Sequence, residues 1–298
     1  MEDIITATAV KESPVPTSKE DDFNKEEWAA QKQAERTALF DKTNAVSEAV
    51  AKDPETLKGV LSVMSRFPNY SVSNTLLIFD QNPEATRVGD YDFWKSKGAQ
   101  VKRDEKGIAI LEPGSTYERD DGSFGTSYNV KRVFDIAQTT ARARQPKEPD
   151  MRSLLKALVF EAPIEIAKSA DLPEGVNAIF DPITQTIGIR EGLGEKELFR
   201  TLVQKMTEVA FDSHAKDNSA DDKPLGNSLM VVFVVSERYG LDTSDLRPSL
   251  VNFTEKSTPA DIRAELSSVK GAVKEISDRM DAGIREAQKA ARESSMER

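Results

Sequence analysis

The chain contains no cysteine and one histidine, His214, among its 298 residues. Disulfides, thiolate nucleophiles, Cys-zinc sites and iron–sulfur clusters are thereby removed from the ways it could be held together or do chemistry. A single imidazole leaves no room for a two-histidine metal site, and a Ser-His-Asp triad would have to use His214. The fold must rest on buried apolar surface. At about 150 residues per domain, the length suits two domains, each large enough for its own core.

The formal charge of −10 argues against nucleic acid as a partner of the chain as a whole. Its distribution matters more. Residues 1–65 carry 13 acidic and 8 basic side chains and residues 150–298 carry 26 and 20, whereas residues 66–144 carry 11 and 12. The middle is the least acidic part and its bases are clustered. Met1-Glu2-Asp3 lacks the basic start and apolar stretch of a signal peptide. The longest apolar run, Leu229 to Val235, falls far short of the ~18 residues of a membrane span. We expect a cytoplasmic protein with no membrane partner.

Polar, proline-containing residues 1–24 are expected to be disordered. Helices are expected from Lys25, from an Asp53-Pro54 start through about Arg66, from a Ser71 or Ser73 cap to Asn82-Pro83, and from Tyr91 to Gly98. Gly107 to Glu112 and Ser127 to Ile136 read as strands about an Asp120-Asp121-Gly122 turn. The proline- and arginine-containing stretch 141–150 is the best domain boundary. Beyond it come a helix near Met151 to Val159, a strand at Ile164 to Ala167, a hairpin about Asp181-Pro182, and helices over Glu195 to Asp212 and Leu225 to Tyr239, with a polar loop over Asp217 to Lys223 between those two helices. Thr258-Pro259-Ala260-Asp261 opens a long helix whose Ile262, Leu266, Val269, Val273, Ile276, Met280 and Ile284 suit a coiled-coil seam or an amphipathic face. The expected class is α+β.

Arg87, Lys95, Lys97, Lys102, Arg103 and Lys106 are interleaved with Tyr91, Phe93 and Trp94. Cations neutralise phosphates and rings stack on unpaired bases, so the mixture suits a single-strand binder. A solvated basic face beside a core tryptophan has the same composition. Asn74 and Gln81 recur on one side of their helix and can bond either bases or backbone. Trp94 can be a stacking ring or plain core.

The order Tyr70-Ser71-Val72-Ser73-Asn74-Thr75-Leu76-Leu77-Ile78, Gln81, Pro83, Ala85-Thr86-Arg87-Val88, Trp94 and Gly98 resembles the N-terminal domain of ArdC-type antirestriction proteins. Val101, Glu105 to Ile110, Val133-Phe134-Asp135 and Gln138-Thr139 continue the resemblance, which covers about 25–140. It implies a domain of a plasmid or other mobile element that binds single-stranded DNA, with Asn74, Gln81, Arg87, Trp94, Lys97, Lys102, Arg103 and Lys106 as candidate contacts. One departure stands out: Asp104 occupies a place where the family tends to have glycine.

In ArdC-like proteins the second half looks like a zincin metalloprotease, with His-Glu-x-x-His on one helix and an acidic ligand on a later one. Here Gly240-Leu241-Asp242-Thr243-Ser244 keeps the family's ending, but the histidine slot reads Gln204-Lys205-Met206-Thr207-Glu208. The third-ligand position falls near Leu229. Zinc hydrolysis needs two imidazoles, a third ligand and a carboxylate base. Gln204 is a poor ligand, Leu229 is none, Lys205 stands where the base belongs, and only Glu208 could coordinate. His214 lies off the i+4 face. With one histidine, no shift of register restores the motif.

The expected organisation is thus a disordered 1–24, an ArdC-like domain at 25–140, a linker at 141–150, a degenerate zincin-like domain at 151–250 without metal or cofactor, and a helical extension at 251–298. The expected function is non-enzymatic binding of single-stranded DNA, protecting transferred DNA from restriction during conjugation. The alternative is a protein-interaction module on an inactive protease fold, its partner a host or conjugation-machinery protein. The heptad spacing leaves the oligomeric state open.

Overall fold

Asp53 and Ser71 start the helices that organise the first half. The computed structural model describes residues 25–143, 150–217, 226–250 and 257–296. The N-terminus expected to be disordered, most of the expected linker and most of the polar loop through Lys223 lie outside them. Helix α1 (Lys25–Lys52) is followed by α2 (Pro54–Arg66), where the Asp53 carboxylate accepts from the Glu55 and Thr56 N–H groups at 3.3 and 2.9 Å. Such a cap satisfies donors the helix cannot, and Pro54 fits the first helical position. Ser71 caps α3 (Val72–Gln81) through the Asn74 N–H at 3.2 Å.

Strand β1 (Val88–Gly89), helix α4 (Tyr91–Ser96) and strands β2 (Ile108–Glu118) and β3 (Phe124–Asp135) complete this half. The sheet is antiparallel in the order β1-β3-β2. Gly98, with φ +71°, ends α4 in the left-handed region that favours glycine. Both long strands outrun their expected limits. Residues 112 to 118 of β2 are all exposed, so that part of the ribbon has no apolar face to reveal a period-two pattern.

The second half contains α5 (Met151–Val159), β4 (Glu165–Lys168), β5 (Ala178–Asp181), β6 (Thr186–Ile189), α6 (Glu195–Asp217), α7 (Gly226–Arg238) and α8 (Pro259–Met296). The β5–β6 hairpin is as expected, and β4 joins it parallel to β6. The Thr258 N–H donates to the Asp261 carboxylate at 2.8 Å and the Asp261 N–H returns to the Thr258 hydroxyl at 3.3 Å. That reciprocal cap opens α8.

The seam of α8 is buried within the chain. Ile262, Leu266, Val269, Val273, Ile276 and Met280 are buried and Ile284 half-buried, against α1, α3, α5, α6 and α7. One core cluster joins Val46, Leu57, Leu61 and Leu76 of the first half to Leu158, Phe199, Val203, Phe233 and Leu266 of the second. The apolar interior is therefore shared by residues from both sides of the expected boundary. Polar ties follow the same route: Arg263 donates to the Asn44 side chain at 2.7 Å and Lys270 to the Phe67 carbonyl at 3.3 Å. Among the described residues no helix is long and apolar enough to cross a membrane.

Candidate nucleic-acid interface

Buried Asp135 fixes the segment that carries Arg87. Its Oδ1 accepts from the Thr86 and Arg87 N–H groups at 2.7 and 3.0 Å, and Oδ2 from the Ala137 N–H at 2.9 Å. Gln138 ties down the next segment. Its amide donates to Glu105 Oε2 at 2.9 Å and to the Lys106 carbonyl at 3.0 Å, while its oxygen accepts from the Asp135 N–H at 2.9 Å. Asp104 between them has φ +62°, a region where aspartate is tolerated at a cost that glycine avoids.

On this framework the cations point into solvent. Arg87, Lys95, Lys97, Lys102, Arg103 and Lys106 are all exposed. Among the described residues Arg87, Lys95, Lys97, Lys102 and Lys106 pair with no carboxylate, and Arg103 has only Asp104, at 3.6 Å. Lys102 donates to the Ala137 carbonyl at 2.7 Å and keeps its charge uncompensated. Arg87 and Lys97 lie 5.5 and 5.9 Å from the centroid of the Phe93 ring, within cation–π range. Two cations on the neighbouring strand β3 are matched: Lys131 contacts Asp90 and Glu112 at 2.9 Å each, and Arg132 contacts Glu35 at 2.5 Å. Those two carboxylates hold the Lys131 proton more tightly than usual, and the Phe93 N–H, then Lys131, keeps the Asp90 carboxyl below its ordinary range.

Three of the candidate contacts have their polar groups engaged within the fold. Trp94 is 1% exposed, packed with Ala99, Phe134 and Ile136, and its indole N–H donates to the Phe134 carbonyl at 2.9 Å. No base can stack on it. Buried Asn74 exchanges hydrogen bonds with the Leu111 backbone, and Gln81 does so with Ala109, accepting and donating at 2.9 Å. Both amides are engaged by β2, an edge strand whose outward backbone groups would otherwise stay unpaired. Tyr91 of α4 is 61% exposed, whereas Phe93 and Tyr70 are half-buried, and Gly89 explains Phe93. A Cβ at Gly89 would lie 2.0 Å from Phe93 Cδ1, so the ring rests on the bare backbone of β1.

In the second half, Gln204 of α6 and Leu229 of α7 line one cleft of about 640 Å³, with Thr201, Val232 and Leu246. The two positions the resemblance assigned to metal ligands thus converge. At the rim Arg200 holds Asp245 through two bonds of 2.6 and 2.9 Å. The donor set does not fit zinc: an amide and an isobutyl group stand where the resemblance implies an imidazole and a carboxylate. Lys205 pairs with Glu208 at 2.9 and 3.0 Å, so the carboxylate that could coordinate already has a cation. Among the described residues no three His, Cys, Asp or Glu side chains gather as a metal site. The His214 side chain lies outside the described groups.

Residues 39–157 match the family model of the N-terminal domain of anti-restriction factor ArdC. The match ends inside α5, past the expected boundary at 140. A search of curated proteins found no match. Among solved structures, the chain is similar to the antirestriction ArdC protein from the R388 plasmid in its metal-free form, with 15% identity and a TM-score of 0.43, over 82% of this chain and 96% of that one. The Mn(II)-bound form gives 15% identity and a TM-score of 0.48, over 80% and 97%.

Proposed function

We propose that this chain, whose residues 39–157 are an ArdC-type N-terminal domain, binds single-stranded DNA without processing it and so shields DNA of a mobile element from restriction during conjugation. The observation that carries the reading is the run of exposed cations from Arg87 to Lys106, of which, among the described residues, only Arg103 has a carboxylate within reach, in a chain of net charge −10. Clustered cations of this kind neutralise the phosphates of a nucleic-acid strand. The family description supports the antirestriction context. The altered donor set at Gln204, Lys205 and Leu229 supports a role without hydrolysis. Fluorescence polarisation with a labelled single strand, competed by unlabelled single strand or duplex of equal length, tests it. Preferential competition by the single strand is expected, and equal or absent competition contradicts the reading.

A second reading has its own observation. The cleft at Gln204 and Leu229 keeps an apolar floor of Leu229, Val232 and Leu246 under a charged rim, a form suited to a protein segment. Leu229→Arg would fill that floor. Loss of a defined protein partner by this variant, with DNA binding unchanged, would favour the interaction module.

A further inference from the structure

Beside the cation run lies a groove of about 450 Å³, within the about 300–1,000 Å³ typical of small-molecule sites. Phe93 and Tyr70 line it, over an apolar floor that includes Val88, Ile110 and Val133. We propose that this groove receives an unstacked nucleobase of the bound strand, with Phe93 and Tyr70 as its ring walls and Asn69 reading the base edge. The inference rests on the single-stranded DNA reading above and assigns a base site to it.

Both rings are held before any ligand arrives. Phe93 lies on the backbone at Gly89 and meets Trp94 edge-on, with centroids 5.0 Å apart at 77°. Tyr70 is backed by Phe67 at 5.9 Å and 83°. Trp94 thus supports the stacking ring and is not itself one.

The charges separate base from phosphate. Within the groove Asp90 and Glu112 flank Lys131, two carboxylates to one ammonium, which disfavours a phosphate there. Arg87 and Lys97 lie against the Phe93 ring but do not line the groove, so phosphates are drawn alongside it. The Asn69 amide and the Tyr70 hydroxyl have no hydrogen-bond partner among the described residues, which leaves them free for the polar edge of a base. Burial pushes the Tyr70 phenol pKa up, which keeps its proton available for donation. A paired base cannot enter such a groove, so the site would also account for strand selectivity.

The full chain would be titrated against labelled oligothymidylate and against an abasic oligonucleotide with the same number of phosphates. The groove predicts tighter binding of the base-bearing strand by about five- to hundredfold, the range of one stacked base. Asn69→Ala should shrink that ratio while leaving abasic affinity unchanged, and Phe93→Leu, which also loses the ring against Arg87 and Lys97, should shrink the ratio as well. Asn69 is exposed, so its variant keeps the test valid if Phe93→Leu misfolds. Equal, salt-sensitive affinity for both strands would overturn the base site and leave the DNA reading standing. No affinity for either strand would overturn both.

Discussion

The side chain of Asn74 and the backbone of Leu111 exchange two hydrogen bonds, Nδ2 to the carbonyl at 2.9 Å and the Leu111 N–H to Oδ1 at 2.8 Å. Gln81, seven residues on, repeats the exchange at Ala109. Helix α3 thus supplies two amides that act as a substitute strand along the free edge of β2. This covers the buried end of the edge without a further strand and fixes the helix against the sheet that leads to the cation-bearing loop.

Asn74→Ala leaves the Leu111 N–H and carbonyl unpaired in a buried setting. The expected loss is about 2–6 kcal/mol of unfolding free energy, since each of the two stranded buried groups costs about 1–3 kcal/mol. Urea denaturation measures it. A loss within a few tenths of a kcal/mol would contradict the assignment, as would weakened DNA binding with stability intact.

Asp104→Gly should strengthen DNA binding. The change removes a carboxylate 3.6 Å from Arg103 and relieves a φ of +62° that glycine adopts freely. Affinity for a single strand should rise several-fold at low salt and converge with wild type at high salt, as a charge effect requires. Unchanged or lower affinity would mean that Arg103 lies off the DNA path.

Lys270 gives the fold a pH signature. Burial, with Arg238 adding, pushes its ammonium pKa from 10.5 down to about 8. Between those values the unfolded chain holds a proton that the folded chain lacks, so this group makes stability rise with pH over that window. The Tyr70 and Tyr239 phenols, both raised by burial, act in the opposite sense near and above their ordinary value of 10. Comparison with Lys270→Met isolates the lysine: wild type should gain on the variant from about pH 8 toward pH 10. Parallel stability curves would contradict the assignment.

Much of this was legible in the sequence because local chemistry decided it. Asp53-Pro54, Ser71, Gly98 and Thr258 to Asp261 place helix ends through caps and turns that need no tertiary information. The seam from Ile262 to Met280 announced an apolar face, although only the packed chain shows that both halves cover it. Trp94, Asn74 and Gln81 were ambiguous for a physical reason: a ring or an amide serves a base and a backbone carbonyl equally well, and the partner is set by residues some 30 to 40 positions away. Phe93 was legible only as one of three rings in the basic stretch, because its seat depends on Gly89 lacking a side chain. The convergence of Gln204 and Leu229 followed from the family resemblance, since neither residue type announces a site.

The central claim is that unpaired cations between Arg87 and Lys106 hold DNA phosphates. The most direct measurement is the salt dependence of single-strand affinity, for wild type and for Lys97→Ala/Lys102→Ala/Lys106→Ala. Each lost phosphate contact should flatten the slope of log K against log salt by about 0.7, so the triple variant should lose up to about 2. Equal slopes for the two proteins would place the DNA elsewhere, and a salt-independent affinity would contradict phosphate binding altogether.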